Sequence, residues 1–270
     1  MSDRAADASA AARGGVVHLV GVGPGDPDLL TVRALNLVRS ADVVVYDRLV
    51  SPAIMALVPS GVARVSVGKC AGDHPVPQSE INEVLARLAR SGRRVVRLKG
   101  GDPYTFGRGG EEGEHLADAG IAFDVTPGVT AASGCAASAG IPLTHRRHAH
   151  ACLLITGHLQ GDSLDLDWPA LTARRQTLVF YMAIATAPRI ARGLMEHGLG
   201  GATPVAIVEN GTTPRERVIT GELRALDSLV ERHQVTSPAL LIVGEVVRLR
   251  ERLAPMIREA RTAAAAEGVA

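Results

Sequence analysis

Aromatic residues are scarce in this chain, with three Phe, three Tyr and one Trp among 270 residues. Proteins that grip single strands of nucleic acid stack bases on aromatic rings set in a basic groove. The formal net charge is only +1, so the basic stripe is lacking as well. No nucleic-acid partner is expected. Cysteine is also sparse: Cys70, Cys135 and Cys152 are odd in number and form no Cys-x-x-Cys pair. That pattern gives no disulfide framework and points to a reducing cytoplasm. No apolar run reaches the roughly 18 residues that a membrane-spanning helix needs, so no membrane partner is expected. What remains is a small-molecule ligand.

A hydrophobic content of 46% and a charged content of 21% describe a globular chain with ample core, enough for one large domain or two small ones. Residues 1–14 are small and polar without an apolar signal-peptide region, and read as a disordered tail. From there, apolar runs at Val16 to Val20, Asp42 to Val45, Arg94 to Leu98, Leu153 to Thr156, Thr177 to Tyr181, Pro204 to Val208 and Leu240 to Val243 alternate with helical stretches. This is α/β spacing. Leu29 to Ser40 and Ser79 to Ser91 carry helical periodicity, the second with Ile81, Val84, Leu85 and Leu88 on one face. A segment of small residues from Thr130 to Gly140 separates two strand-helix series. The expected organisation is an N-terminal lobe over 15–133, a C-terminal lobe over 134–252 and a closing helix or tail over 253–270.

Glycine supplies the chemical signal. RLKGGDPYTFGRGGEE, Arg97 to Glu112, sets Gly100, Gly101, Gly107, Gly109 and Gly110 beside Asp102 and two arginines. Val95, Val96 and Leu98 read as the end of a buried strand, after which Gly100, Gly101 and Pro103 make a turn with bare peptide groups. A small-molecule site is expected there; a loop that merely closes a strand-to-helix connection is the plainer alternative. An earlier turn, Gly21-Val22-Gly23-Pro24-Gly25-Asp26-Pro27, departs from the dinucleotide fingerprint G-x-G-x-x-G. Asp26 stands where the third glycine belongs, and two prolines stiffen a turn that should wrap a pyrophosphate, so NAD is not expected. The turn suits a ligand resting on Pro24, with Asp28 or Thr31 capping the helix.

Asp47 ends the strand-like run VVVYD, and the carboxyl ends of strands in open α/β sheets are where ligands gather. It is a candidate base, unless it caps a turn or pairs with Arg48. Lys69 ends VSVGK and brings an amine to the same edge if the strands are neighbours; a solvated surface lysine is the other reading. His145, His148 and His150 lie close in sequence but have no acidic or Cys ligand and no common zinc spacing, so no metal is expected.

In order, the motifs GVGPGDPDLLT, YDRLVS, VGK, PQSEIN, RLKGGDPYTFGRGGEE, PGVTAASGCAASAGIPLTHR, TGH, YM, ENGTTPRERV and PALLIVGEVV run from about Val16 to Leu249. The chain resembles the uroporphyrinogen-III C-methyltransferases, of the class III tetrapyrrole methyltransferases. The resemblance implies two α/β lobes with a cofactor cleft between them, distinct from the Rossmann-type methyltransferases, assembled as a homodimer. It implies S-adenosylmethionine as methyl donor, leaving S-adenosylhomocysteine, and uroporphyrinogen III as a substrate methylated at two pyrrole carbons. The product would be precorrin-2, formed through precorrin-1, for sirohaem or cobalamin. Since the first lobe starts almost at once, no attached dehydrogenase-chelatase domain is expected.

Carried over by motif, the cofactor contacts fall on Pro24, Gly100, Gly101, Asp102, Thr105, Thr130, Ala131, Met182 and Gly211, the proton acceptor on Asp47 and the proton donor on Lys69. Peptide groups and small side chains dominate that set, as close approach to a nucleoside and an amino acid requires. Met182 alone would read as core packing. A polycarboxylate substrate calls for fixed cations, and Arg108 and Arg146 are the expected carboxylate binders. Two departures stand out: Cys70 where the family commonly has Arg, and Ser138 where Tyr is common. They bear on substrate affinity or on the balance between the two methylations. A later precorrin, diphthine or ribosomal RNA are alternative substrates within the class, though RNA would want more positive charge. A non-catalytic binding protein is the third reading, opposed by Asp47, Lys69 and the GGDP motif.

Overall fold

Valine-rich strands build the first of two units. The computed structural model describes residues 15–68, 76–157 and 164–266, and the chain divides by contacts into Met1–Thr130 and Ala131–Ala270. The first unit runs β1 (Val16–Gly21), α1 (Val32–Ser40), β2 (Val43–Tyr46), α2 (Pro52–Ala56), β3 (Ala63–Ser66), α3 (Gln78–Arg90), β4 (Arg94–Lys99), α4 (Gly109–Asp118) and β5 (Phe123–Thr126). Its strands form a parallel sheet in the order β3-β2-β4-β1-β5. Parallel strands are covered on both faces, which is why they read as continuous apolar runs. Val17, Leu19, Val43, Val45 and Val95 pack against Ile81 and Leu85 of α3 and Leu116 of α4. On the other face Val20, Val44, Val96 and Leu98 pack against Ala34 and Val38 of α1 and Ile54 of α2. The neighbours β1 and β4 thus send their following helices to opposite faces, the arrangement that in open α/β sheets places ligands at the carboxyl ends of the strands.

Local capping agrees with most of the sequence reading. Thr31 Oγ1 accepts from Ala34 N at 3.1 Å and starts α1. The helix begins at Val32, not Leu29, because Pro27–Leu29 forms a separate 3-10 turn. That turn is capped by Asp26, which accepts from Asp28 N at 2.9 Å, so Asp26 has the capping role proposed for Asp28. Ser51 caps α2 through Ile54 N and donates to Gly25 O at 2.7 Å, tying the turn after β1 to the chain after β2.

The second unit comprises α5 (Ala131–Ala139), β6 (Ala151–Thr156), α6 (Trp168–Leu171), β7 (Gln176–Tyr181), α7 (Ala187–Glu196), β8 (Pro204–Glu209), β9 (Arg217–Glu222), α8 (Leu226–Arg232), β10 (Ala239–Val243) and α9 (Arg250–Ala266). Its sheet has the order β6-β7-β10-β8-β9, with only β6 and β7 parallel. One face packs Phe180, Ile207 and Leu241 against Ile190 and Leu194 of α7 and Leu226 of α8. The opposite face packs Val179, Ala206, Val208 and Ile242 against the small side chains of α5, Ala132, Cys135, Ala136 and Ala139. The small-residue segment is therefore a helix of the second unit, lying close on its sheet. Strands β5 and β9 carry no long apolar run, because each is an edge strand with residues open to solvent.

Burial within this face pushes the Cys135 thiol up to about 12 from 9.0, with the charge of Glu216 adding to the effect. Between those two values the unfolded chain ionises the thiol and the folded chain does not. The stability this group contributes is complete below pH 9 and is lost as pH rises toward about 12. Cys135→Ala is expected to flatten the decline of unfolding free energy across that window, measured by urea titration at a series of alkaline pH values.

Candidate functional site

Three turns meet at the carboxyl edge of the first sheet. After β1, Val22 N donates to Lys99 O at 3.0 Å and Gly23 N to Gly101 O at 3.1 Å, while Gly101 N returns a bond to Gly23 O at 2.7 Å. After β5, Gly128 N donates to Asp102 Oδ2 at 3.1 Å. Asp102 Oδ1 accepts from Tyr104 N at 2.9 Å and from Thr105 Oγ1 at 3.3 Å. Asp102 therefore pins its own loop and the loop after β5 together. The approach is backbone to backbone: a Cβ on Gly21 would stand 2.5 Å from Gly128 N, and one on Gly128 only 2.2 Å from Gly101 O. Only glycine fits such a junction. Of the expected cofactor contacts, Gly100, Gly101, Asp102 and Thr105 lie on one of these loops and half-buried Pro24 on another.

The turn after β2 adjoins this junction, since a Cβ on Gly100 would touch Leu49 Cβ at 3.0 Å. Asp47 Oδ1 accepts from Leu49 N at 3.0 Å, so it does cap a turn. Its Oδ2 accepts from Arg97 Nη2 at 3.0 Å, and Arg97, not Arg48, is its cation. Behind it lies a buried group of charges that sequence reasoning missed. Arg97 Nε donates to Glu112 Oε1 at 3.1 Å and Nη1 to Leu98 O at 2.8 Å. Lys99 Nζ donates to the same Glu112 Oε1 at 2.9 Å, and Gln78 Nε2 reaches it at 3.3 Å. Burial pushes the Lys99 amine below its ordinary range; Arg97 adds to that and Glu112 opposes it. The available signal was the alternation Arg97-Leu98-Lys99 in a buried strand, which sends both cations to one face. Lys69 and Cys70 lie outside the described residues.

In the second unit the expected residues gather around α5. Ala132 N donates to Tyr181 Oη at 2.9 Å, which brings Ala131 near the end of β7, where exposed Met182 follows. Gly211 backs onto the same helix: a Cβ there would stand 2.4 Å from Cys135 Sγ. Ser138 Oγ donates to Glu216 Oε2 at 2.5 Å and Thr212 N to the same oxygen at 2.7 Å. Ser138, one of the two departures from the family pattern, thus helps hold the Gly211 turn. Thr130 is the last residue of the first unit.

Backbone strain falls at the same loops. Phe106, Arg108, Met182, Asn210 and Thr212 have φ between 49° and 65°; Arg175 and Gln234 are the other described non-glycine residues in this region. Each such residue costs roughly 1–2 kcal/mol, a cost that tends to collect at ligand sites. The guanidinium of Arg108 is exposed and grips Glu111 through Nε at 2.8 Å and Nη2 at 2.6 Å. Arg146 is exposed too, in a loop held by its own carbonyl, which accepts from His150 Nε2 at 2.7 Å and Arg175 Nη2 at 3.3 Å. The rings of His145 and His148 lie 4.7 Å apart, centre to centre. Among the described residues, no three His, Cys, Asp or Glu side chains are arranged to hold a metal ion.

The family model for Tetrapyrrole (Corrin/Porphyrin) Methylases matches residues 16–227. The chain belongs to this family. Among similar curated proteins, this tetrapyrrole methylase is 60% identical to a siroheme synthase of Azotobacter vinelandii over 89% of its own length and 52% of that protein. It is 54% identical to a siroheme synthase of Nitrosomonas europaea over 89% and 50%. The methylase thus spans about half the length of the curated relatives it matches. Among solved structures, it is similar to the uroporphyrin-III C-methyl transferase of Thermus thermophilus complexed with S-adenyl homocysteine. The TM-score is 0.75 and the identity 41%, over 87% of this chain and 94% of that one. A cobalt precorrin-4 methyltransferase matches at TM-score 0.76 and 26% identity, over 86% and 95%. Two sheets with these neighbours make the fold that of the tetrapyrrole methylases, as the motifs implied. No helix among the described residues is long and apolar enough to cross a membrane.

Proposed function

We propose that this methylase transfers methyl groups from S-adenosylmethionine to two pyrrole carbons of uroporphyrinogen III, yielding precorrin-2. The observation that carries the reading is the glycine junction after β1, β4 and β5, with the Asp47 carboxylate fixed on the adjoining turn. The junction suits the cofactor, because its glycines leave peptide groups bare where a Cβ would collide. Pro24, Gly100, Gly101, Asp102 and Thr105 would hold it, with Thr130; the family motifs carry further contacts onto Ala131, Met182 and Gly211. When bound, S-adenosylmethionine supplies an electrophilic methyl group.

The chain's own part is geometry and proton transfer. Attack of a pyrrole carbon on the methyl group leaves a cationic ring, which must lose a proton from its N–H or an adjoining carbon, and Asp47 is the acceptor, with one oxygen on Leu49 N and the other on Arg97. Lys69 is the proton donor carried by the VGK motif. Arg108 and Arg146 are exposed cations for the substrate carboxylates, and Arg108 would trade part of its grip on Glu111 for one of them. We place the protein as a homodimer in the cytoplasm, a setting that suits the free thiols Cys135 and Cys152.

Anaerobic incubation with uroporphyrinogen III and labelled S-adenosylmethionine, followed by mass spectrometry of the tetrapyrrole, is expected to show two added methyl groups. Cofactor binding without transfer would move the substrate elsewhere in the class.

A further inference from the structure

Glu112 and Lys99 have no task in the reaction as described, yet both are buried at a cost. Glu112 is fully buried and the Lys99 side chain is 4% exposed. Removing one partner from such a buried pair leaves an uncompensated charge. The four charges balance, Arg97 and Lys99 against Asp47 and Glu112, and the geometry divides them. Glu112 Oε1 takes Lys99 Nζ and the Nε edge of Arg97, while the Nη2 edge of Arg97 goes to Asp47. Glu112 Oε2 has no hydrogen-bond partner among the described residues, so Glu112 acts through a single oxygen. The Asp47 side chain, 24% exposed, is the member of the group that reaches the surface. Without the charge of Glu112, Lys99 and Arg97 would be two buried cations on one strand face competing for Asp47.

We propose that Glu112 is a positioning residue: by neutralising Lys99 and anchoring the Nε edge of Arg97, it reserves the Nη2 edge for Asp47 and fixes that carboxylate in place. The inference rests on the reading of Asp47 as proton acceptor. Its test uses the full chain with uroporphyrinogen III and labelled S-adenosylmethionine. Glu112→Gln is expected to lower kcat roughly 10- to 100-fold, the scale of a small misplacement of a reacting group. The KM for S-adenosylmethionine should stay within about twofold, as for a group that acts only on the chemical step. Adding Lys99→Met restores the charge balance, and the double variant is expected to recover most of the lost kcat. A merely structural role would lower the melting temperature without that recovery.

An unchanged kcat in Glu112→Gln, or a double variant no faster than the single one, overturns the proposal. Should Glu112→Gln fail to fold, the double variant is compared directly with wild type. A kcat within about tenfold of wild type supports the proposal, and a loss as large as that of Asp47→Asn overturns it. Wild-type protein that adds no methyl to uroporphyrinogen III would instead sink the functional reading, and this inference with it.

Discussion

Gly128→Ala is expected to cost about 3 kcal/mol of stability, the upper end for an inserted methyl in a packed interior, and to abolish cofactor binding. The new Cβ would lie 2.2 Å from Gly101 O and 2.7 Å from the Gly21 carbonyl carbon. Both are backbone atoms, one at the end of β1 and one in the turn after β4, so no side-chain rotation relieves the contact. The three loops must part. Separation breaks the bonds between Gly23 and Gly101 and the bond from Gly128 N to Asp102, and the surface proposed to hold S-adenosylmethionine loses its shape. Gly110→Ala is the matched control. Nothing lies within 4 Å of its added Cβ, and the residue sits in α4. The control should be stabilising by about 0.5–1 kcal/mol, the ordinary helix gain of alanine over glycine. Urea unfolding and calorimetric titration with S-adenosylmethionine read both variants. Wild-type cofactor affinity in Gly128→Ala would show that the junction is not the site.

Asp47→Asn is expected to lower kcat for methyl transfer by about 100-fold or more while leaving cofactor affinity nearly intact, as loss of a general base does. The carboxylate meets two donors, Leu49 N on one oxygen and Arg97 Nη2 on the other. An amide has one oxygen, so whichever way it turns, one N–H faces another. That mismatch costs about 1–3 kcal/mol, the range for a donor left unpaired. Single-turnover rates, taken below the melting temperature of the variant, separate this loss from unfolding. A rate within about threefold of wild type would assign the proton to another acceptor and reduce Asp47 to a turn cap.

Much of this architecture is legible in the sequence. The strands β1, β2, β4, β7, β8 and β10 stand at the valine- and isoleucine-rich runs, because strands covered on both faces leave an uninterrupted apolar signature. Thr31 announced the start of α1 through its hydroxyl. The GVGPGDP and GGDP motifs marked two of the three loops that meet, since close backbone approach leaves glycine no substitute. The edge strands β5 and β9 were silent: Phe123–Thr126 and Arg217–Glu222 have a partner on one side only and keep residues in solvent.

The partner of Asp47 shows where sequence stopped. Arg48 is its neighbour in the chain, but Arg97 is its partner in the fold, because the order β3-β2-β4 sets residues from two separated strands side by side. Glu112 joins them only because α4 packs back over the same sheet face that carries Arg97 and Lys99. By itself the sequence determined the α/β class, the family, the positions of the glycine turns and a candidate carboxylate, all of which depend on residue type and local spacing. The tertiary structure alone decided which charges meet, because a buried ion pair is set by strand order and helix packing, and neither is written in the residues adjacent to the ion.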